Sequence, residues 1–471
     1  MNPRARDVVA RLQRAGHAAY LAGGCVRDHL LGIEAKDWDV ATSATAEEVQ
    51  DLFAGRVTDL VGKSFGVVRV REGEEFFEVA MFRQEGAYLD GRHPSTVTPA
   101  TPEEDAQRRD FTINGMFLDP MAEKLIDFVG GKADLDAKIL RAIGDPEKRF
   151  AEDHLRLLRA IRFAVRLKFQ IEPKTWEAIR ANAAMIRTVS AERVRDELNR
   201  IFTVAKPEKG LDLLDQSGLL VHVLPDIAGL HGVEQPPQFH PEGDVFEHTR
   251  LMLTKVQQPD LELALGILFH DVGKKPTAKV DENGRIRFNE HESVGAEMAE
   301  KIMTGLRYDN KTIANVKEMV RHHMQFKDVR HMRPSTLKKM MQRPTFVKEL
   351  ELHRIDCSSS HGDLEHWEFL KHQLDTMTPE EINPPSLISG HDLMKLGVLP
   401  GKQMGRILEA VKTAQLNGEV QTRHEAMALA RRLAAQGMDT VQLPPPPEKP
   451  PEKPPQDEPP PEKPPGGQPP A

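Results

Sequence analysis

Near residue 147 the apolar pattern of this 471-residue chain changes its period. Before that point, short runs rich in Val and Phe alternate with turns and helical stretches. Residues 18–22 read as a buried strand ending in Gly23-Gly24, residues 26–31 as a helix, and residues 37–42 as a returning strand. Residues 67–70 and 76–82 read as further strands. Beyond that point, residues 147–205 and 206–385 place apolar side chains every three or four positions, the spacing of amphipathic helices. A loop rich in Pro and Gly interrupts them at 234–244, and a last helical segment runs to about residue 437. The expectation is an α+β chain whose mixed sheet is confined to the N-terminal part. From residue 442 onward, Pro-Pro-Glu-Lys repeats have nothing to bury and are expected to be a disordered, polyproline-like tail.

Only two cysteines occur, Cys25 and Cys357, which excludes a disulfide framework and fits a reducing cytoplasm. The first residues carry no apolar signal core. The longest apolar run, residues 263–269, falls far short of the roughly 20 residues that a membrane helix needs. The expectation is a soluble, cytoplasmic protein with no membrane partner and no obligate protein partner. The net charge of −8 weighs mildly against nucleic acid. Affinity for RNA, however, depends on local Lys and Arg contacts to phosphate, and arginines concentrate between Arg141 and Arg200.

The most informative stretch is Leu21-Ala22-Gly23-Gly24-Cys25-Val26-Arg27-Asp28, followed by Lys36-Asp37-Trp38-Asp39-Val40. Paired glycines between strand and helix let the backbone approach a ligand, and the helix start behind them offers N–H groups to phosphate oxygens. Arg27, one turn in, adds a cationic fork. On a strand, Asp37 and Asp39 would point to one face, a carboxylate pair suited to Mg²⁺ ions bridging a nucleoside triphosphate. In this order the residues resemble the class II tRNA nucleotidyltransferases and bacterial poly(A) polymerases, members of the DNA polymerase beta-like superfamily.

The resemblance continues along the chain. Arg108-Arg109-Asp110-Phe111-Thr112-Ile113-Asn114-Gly115-Met116 looks like the family's second signature, whose nucleotide-contacting arginine is Arg109 by position. Residues 82–94 look like the family's flexible loop, and Gly62-Lys63-Ser64-Phe65-Gly66-Val67-Val68 is closer to the tRNA enzymes than to poly(A) polymerases. Glu152-Asp153-His154-Leu155-Arg156-Leu157-Leu158-Arg159-Ala160-Ile161-Arg162 looks like the base-recognition helix. There Asp153, Arg156, Arg159 and Arg162 follow an i, i+3 ridge, while Leu157, Leu158, Ile161, Ala164 and Val165 gather on another side. An accepting Asp beside a donating Arg suits the Watson–Crick edges of C and A and opposes those of U and G. Ala191-Glu192-Arg193-Val194-Arg195-Asp196-Glu197-Leu198 resembles the next signature and is expected to buttress the neck and need not touch substrate.

Further on, Phe269-His270-Asp271-Val272-Gly273-Lys274 with His248 and Asp356 resembles the HD-domain phosphohydrolases, which implies a divalent transition metal on His248, His270, Asp271 and Asp356. His291, His322 and His323 either form a second metal site or are surface residues. Residues 387–397 and 400–405 resemble the family's C-terminal arm, which holds the body of tRNA.

The resemblance implies five segments: a DNA polymerase beta-like nucleotidyltransferase head (1–145), a helical neck for base recognition (146–205), a helical HD body (206–385), a helical tRNA-binding arm (386–441) and the tail (442–471). The implied reaction is template-independent addition of CCA to the 3′ end of tRNA from CTP and ATP. Asp37 and Asp39 would hold Mg²⁺, and Gly24, Arg27 and Arg109 would bind the triphosphate. The alternatives are a poly(A) or A-adding enzyme using ATP alone, with another RNA 3′ end as substrate, and an HD phosphohydrolase with an RNA-binding head.

Overall fold

The computed structural model describes residues 1–59, 66–86, 95–236, 243–258 and 260–436. The tail at 442–471, the loop tip at 87–94, the Gly62-to-Phe65 stretch and most of the 234–244 loop lie outside the described residues. Two compact units result: Met1–Met332 with Met340–Met377, and Arg333–Lys339 with the chain from Thr378 onward.

The first unit begins with α1 (Pro3–Arg14), β1 (Ala19–Ala22), α2 (Gly24–Leu30), β2 (Asp39–Thr42), α3 (Ala46–Leu52), β3 (Val57–Asp59), β4 (Val67–Glu72) and β5 (Glu75–Met81). There follow β6 (Arg83–Glu85), β7 (Val97–Pro99), α4 (Pro102–Gln107), β8 (Phe117–Asp119), β9 (Lys124–Ile126) and α5 (Gly131–Ala137). Seven strands form one mixed sheet in the order β3-β4-β5-β2-β1-β8-β9, while β6 and β7 pair as a separate hairpin. β2 runs antiparallel to β1 and parallel to β5, with Val40 opposite Val79.

Alternation along the strands decides which face is core. Val40, Val68, Val70, Phe77 and Val79 turn inward against Val8, Val9 and Leu12 of α1. Each such fully buried side chain contributes about 1.5–3 kcal/mol. The opposite face is covered by Ala22, Ala41, Phe82, Ala106 and Phe117, and it opens at Asp39 and Glu78, which are both exposed.

Beyond the sheet the unit is helical. α6 (Pro146–Glu152) leads into α7 (Arg156–Leu167), α8 (Pro173–Asn182) and α9 (Ala191–Phe202). Leu157, Leu158, Ile161, Ala164 and Val165 of α7 are buried, as the periodicity predicts. The helices continue through Phe346–Ser359 and Glu365–Thr376; among the described residues two short strand pairs accompany them, Ile139–Leu140 with Gln170–Ile171 and Lys279–Val280 with Ile286–Arg287. The second unit packs Ile388, Leu393, Ile407, Val411, Ala426 and Leu433 into its own small core. None of the helices among the described residues is long and apolar enough to cross a membrane.

Candidate active site

The strand expected over residues 37–42 begins only at Asp39, so Asp37 sits in the irregular segment just before β2. The two carboxylates nevertheless share an electrostatic environment. Asp39 keeps solvent access, yet protein atoms crowd its carboxylate from the cleft wall. That desolvation, followed by the charges of Glu78 and Asp37, pushes its pKa up to about 6 against the opposing pull of Arg109. Glu78 is a third carboxylate that sequence reasoning missed. The parallel register of Val40 with Val79 brings it level with Asp39, and the alternation of β5 turns it toward the same open face. An acidic residue in a Phe- and Val-rich strand was the available signal, but only sheet pairing reveals which strand lies beside β2.

Gly23 shows why this turn requires glycine. Its φ is +73°, and a Cβ there would lie 2.9 Å from Nη1 of Arg109. Arg109 itself donates to both the Asp105 carboxylate, at 2.9 and 3.2 Å, and the Asn114 carbonyl, at 3.3 Å. Arg27 is buried, and three of its donors are committed: Nε and Nη2 to Asp28 at 2.8 and 2.6 Å, and Nη1 to the Asn114 side-chain oxygen at 2.5 Å. The fork expected to grip phosphate is therefore directed first at Asp28 and Asn114. Asp28 also accepts from Arg166 of α7 at 3.0 Å, which ties α2 to α7.

Asp153 does not share a helix with the arginines. It closes α6 in an extended conformation (φ −141°, ψ 104°), and α7 starts only at Arg156. Its Oδ1 accepts the Leu155 N–H at 3.1 Å, a local bond that competes with helix continuation. Arg156, Arg159 and Arg162 do form the ridge. Arg156 donates to Glu152, Arg159 to Asp110 and Arg162 to Glu197 at 3.1 Å. Burial lowers the Arg162 guanidinium to about 10 despite its partner Glu197.

The segment expected to buttress the neck also reaches the cleft. Arg193 of α9 donates to Asp153 Oδ2 at 2.9 Å, and both Arg193 and Arg200 line the cleft. Sequence reasoning missed these two, together with Arg166, the next step on the α7 ridge.

Most of these groups line one cleft of about 490 Å³, with Gly23, Gly24 and Asp39 at one wall and the α7 arginines at the other; Asp37 and Glu78 are not among its lining residues. Arginines far outnumber carboxylates there, a field matched to a polyanion. Asp110 anchors the α7 wall: it accepts from Phe111 N–H, Asn114 and both the Nε and Nη2 of Arg159. Burial alone would raise its carboxyl, and Arg159 instead holds it well below the ordinary range. Asp110→Ala strands Arg159 and is expected to cost about 3 kcal/mol of stability, read from urea denaturation.

A second cluster lies in the helical region. His248 Nε2 is 3.1 Å from Asp356, and His270 Nε2 is 3.0 Å from Asp271. Ligand atoms of His248, His270 and Asp271 converge within 4.8 Å, as do those of Asp271, His291 and His323. The four expected residues are thus together, and two more histidines join them. His291 and His323 are buried, so the surface reading of those two is corrected. His322, one residue away, is half-buried and turns instead toward Glu318 and Glu349.

His270, His291 and His323 each direct Nδ1 to a backbone carbonyl, of Ile267, Phe288 and Val320, at 2.7–2.8 Å. That bond leaves the Nε2 lone pair facing the cluster, the orientation of a metal ligand. Burial and His270 push His323 down to about 3, so its ring is neutral. Burial would raise Asp271, but His270 and Lys274 hold it well below the ordinary range. Gly273 explains the small residue of this motif: a Cβ there would lie 2.1 Å from the His291 carbonyl oxygen.

The sequence matches the Poly A polymerase head domain family over residues 19–141, an RNA-binding-site family of polymerase A over 168–230, and tRNA nucleotidyltransferase domain 2 over 291–430. Along most of its length it is similar to the A-adding tRNA nucleotidyltransferase of Deinococcus radiodurans, 32% identical over 438 residues that cover 88% of this chain and 95% of the relative. The chain belongs to the tRNA nucleotidyltransferase family. The CCA-adding enzyme of Lactobacillus helveticus is 41% identical over 227 residues, 48% of this chain and 56% of that enzyme, so this match spans just over half of the relative. Among solved structures, the Bacillus stearothermophilus CCA-adding enzyme in complex with CTP aligns with a TM-score of 0.70 and 26% identity, covering 93% of this family member and 99% of that chain. The α+β architecture, with its sheet in the head and helices thereafter, is therefore that of the family.

Proposed function

We propose that this chain adds C, C and A in turn to the 3′ end of tRNA, using CTP and ATP and no nucleic-acid template. The observation that carries the reading is the single cleft with Asp39 on one wall and Asp153, Arg156, Arg159 and Arg162 on the other. In this reading residues 1–145 are the head, 146–205 the neck, 206–385 the body and 386–441 an arm for the tRNA body. The compartment is the cytoplasm, which suits two free, buried cysteines.

Asp37, Asp39 and Glu78 offer hard oxygen donors that fit Mg²⁺. Bound there, Mg²⁺ supplies polarisation of the attacking hydroxyl and neutralisation of the leaving pyrophosphate. Gly23, Gly24 and Arg109 orient the triphosphate for in-line attack, with Arg27 holding the turn through Asp28 and Asn114. The RNA 3′ oxygen bonds to the α-phosphorus, the bond to the bridging oxygen breaks, pyrophosphate leaves and the hydroxyl proton passes to water. Asp153 accepts from the exocyclic amine of C or A, and Arg156 donates to the adjacent ring nitrogen. Arg159 and Arg162 complete the wall.

The similarity to an A-adding enzyme over 88% of the chain is the basis of a second reading, addition of the terminal A alone. Incubating tRNA that ends before CCA with CTP, with ATP and with both separates the two. CCA addition gives two C residues with CTP alone and a product that stops at CCA with both. An A-adding enzyme leaves that RNA unchanged and extends only tRNA already ending in CC.

The histidine cluster supports an additional activity in the body. His248, His270, Asp271 and Asp356 would hold one divalent transition metal, and Asp271 with His291 and His323 a second. Such a site suits hydrolysis of phosphoester ends, including 2′,3′-cyclic phosphates. His270→Ala combined with Asp271→Ala is expected to abolish metal-dependent hydrolysis and leave nucleotide addition intact. Metal analysis and phosphodiesterase assays of the purified protein check this. A wild-type protein that binds no transition metal and cleaves no phosphoester would make the cluster structural.

A further inference from the structure

Asp39 and Asp37 line different cavities, although the Asp37 charge still acts on the Asp39 carboxylate. Asp39 lines the arginine-rich cleft, whereas Asp37 lines a second open groove of about 860 Å³ on the head. A reaction joining two substrates must bring both to one set of carboxylates.

The groove is built from the open face of β4 and β5 and from the segment before β2. Along β5, Phe77 and Val79 enter the core while Phe76 and Glu78 point outward. Phe76 remains 45% exposed, and the Arg69 guanidinium from β4 lies 4.5 Å over its ring. Trp38, set between the two aspartates, lines the same groove half-buried, beside Lys36. Glu34 and Glu75 also line it; the charge of Glu75 is engaged by Arg4 at 3.1 Å and Asn2 at 2.8 Å. An aromatic–guanidinium layer beside Lys36 is a platform on which unpaired bases stack while their phosphates meet positive charge. Stacking tolerates any base because every base has a π-face. That tolerance is needed here, since the terminal base of the RNA changes with each addition.

We propose that this groove receives the unpaired 3′ end of the RNA, with its last bases on Phe76 and Trp38 and its phosphates against Arg69 and Lys36, so that the terminal hydroxyl arrives from the Asp37 side. The inference rests on the reading of the chain as an enzyme that extends RNA 3′ ends. It assigns the two carboxylate-lined cavities to the two substrates.

The test is steady-state addition of CTP to tRNA that ends before CCA, together with equilibrium binding of a labelled single-stranded RNA in the absence of nucleotide. Phe76→Ala is expected to raise the KM for RNA about 5- to 100-fold, leave the KM for CTP unchanged and weaken oligonucleotide binding to a similar degree. Phe76→Tyr is expected to restore both. Arg69→Gln is expected to weaken binding and make it less dependent on salt. Because Phe76 is exposed, the melting temperature of Phe76→Ala should match that of the wild type. RNA KM and oligonucleotide affinity within twofold of wild type in both variants would overturn the proposal, as would a rise confined to the KM for CTP. A wild-type protein that adds no nucleotide but binds the oligonucleotide through Phe76 would overturn the enzymatic reading and leave the groove's assignment standing.

Discussion

Asp39→Ala is expected to lower the rate of nucleotide addition by about a thousandfold or more while leaving the head folded. A carboxylate that helps place the ions stabilises the charge developing on the pyrophosphate, an effect worth several kcal/mol. At roughly 1.4 kcal/mol per tenfold, about 4 kcal/mol corresponds to that factor. Stability should not fall with activity, because Asp39 is exposed and its carboxylate sits among like charges. Its folded-state pKa, about 6, lies above the ordinary value of 3.8, so the folded state holds the proton more tightly. The ionised group therefore opposes folding, and this opposition grows as pH rises from about 4 to 6. Asp39→Asn, which removes the charge at every pH, is expected to melt at or above the wild-type temperature at pH 7. Single-turnover rates and thermal melts of both variants measure the two effects. Normal incorporation by Asp39→Ala would remove the carboxylate assignment, and a collapse of the melting temperature would make the residue structural.

Asp153→Ala is expected to weaken discrimination against UTP and GTP roughly tenfold to a hundredfold. One hydrogen bond to a charged group is worth about 1.5–3 kcal/mol, and uracil and guanine present a carbonyl where cytosine and adenine present an amine. The surroundings of Asp153 refine this expectation. Its Oδ2 is held by Arg193, and its Oδ1 caps the Leu155 N–H. Alanine thus removes the acceptor, the cap and the partner of Arg193 together. Asp153→Asn keeps one carbonyl oxygen and is expected to fall between wild type and alanine. The measurement is kcat/KM for all four triphosphates on tRNA lacking its end. An unchanged ratio of CTP to UTP would place base selection elsewhere, and a uniform loss for all four would make Asp153 a structural residue.

Much of this site was legible in the sequence because its signals are local. Gly23-Gly24 after a strand and two aspartates two positions apart are short-range patterns, and α7 announces itself by the spacing of Leu157, Leu158, Ile161 and Val165. What escaped depends on contacts between distant segments. Glu78 matters only because β5 pairs with β2, and Arg193 only because α9 lies against the break before α7. That break was hidden for another reason: the ridge spacing continues through Asp153, but its side chain caps the Leu155 N–H and the backbone turns extended. Among the histidines, periodicity alone does not separate His322 from His323. The bond from His323 to the Val320 carbonyl selects the inward ring, and it forms between residues whose burial is set by packing.

The central claim is that one protein cleft both holds the triphosphate and chooses the base. A crystal structure of this chain with Mg²⁺ and a CTP analogue whose α–β bridge resists cleavage tests it directly. The expected result places the α-phosphate beside Asp37, Asp39 and Glu78, the β- and γ-phosphates at Gly23, Gly24 and Arg109, and the cytosine edge on Asp153 and Arg156. Nucleotide bound outside this cleft, or a cytosine edge turned away from Asp153 and Arg156, would contradict it.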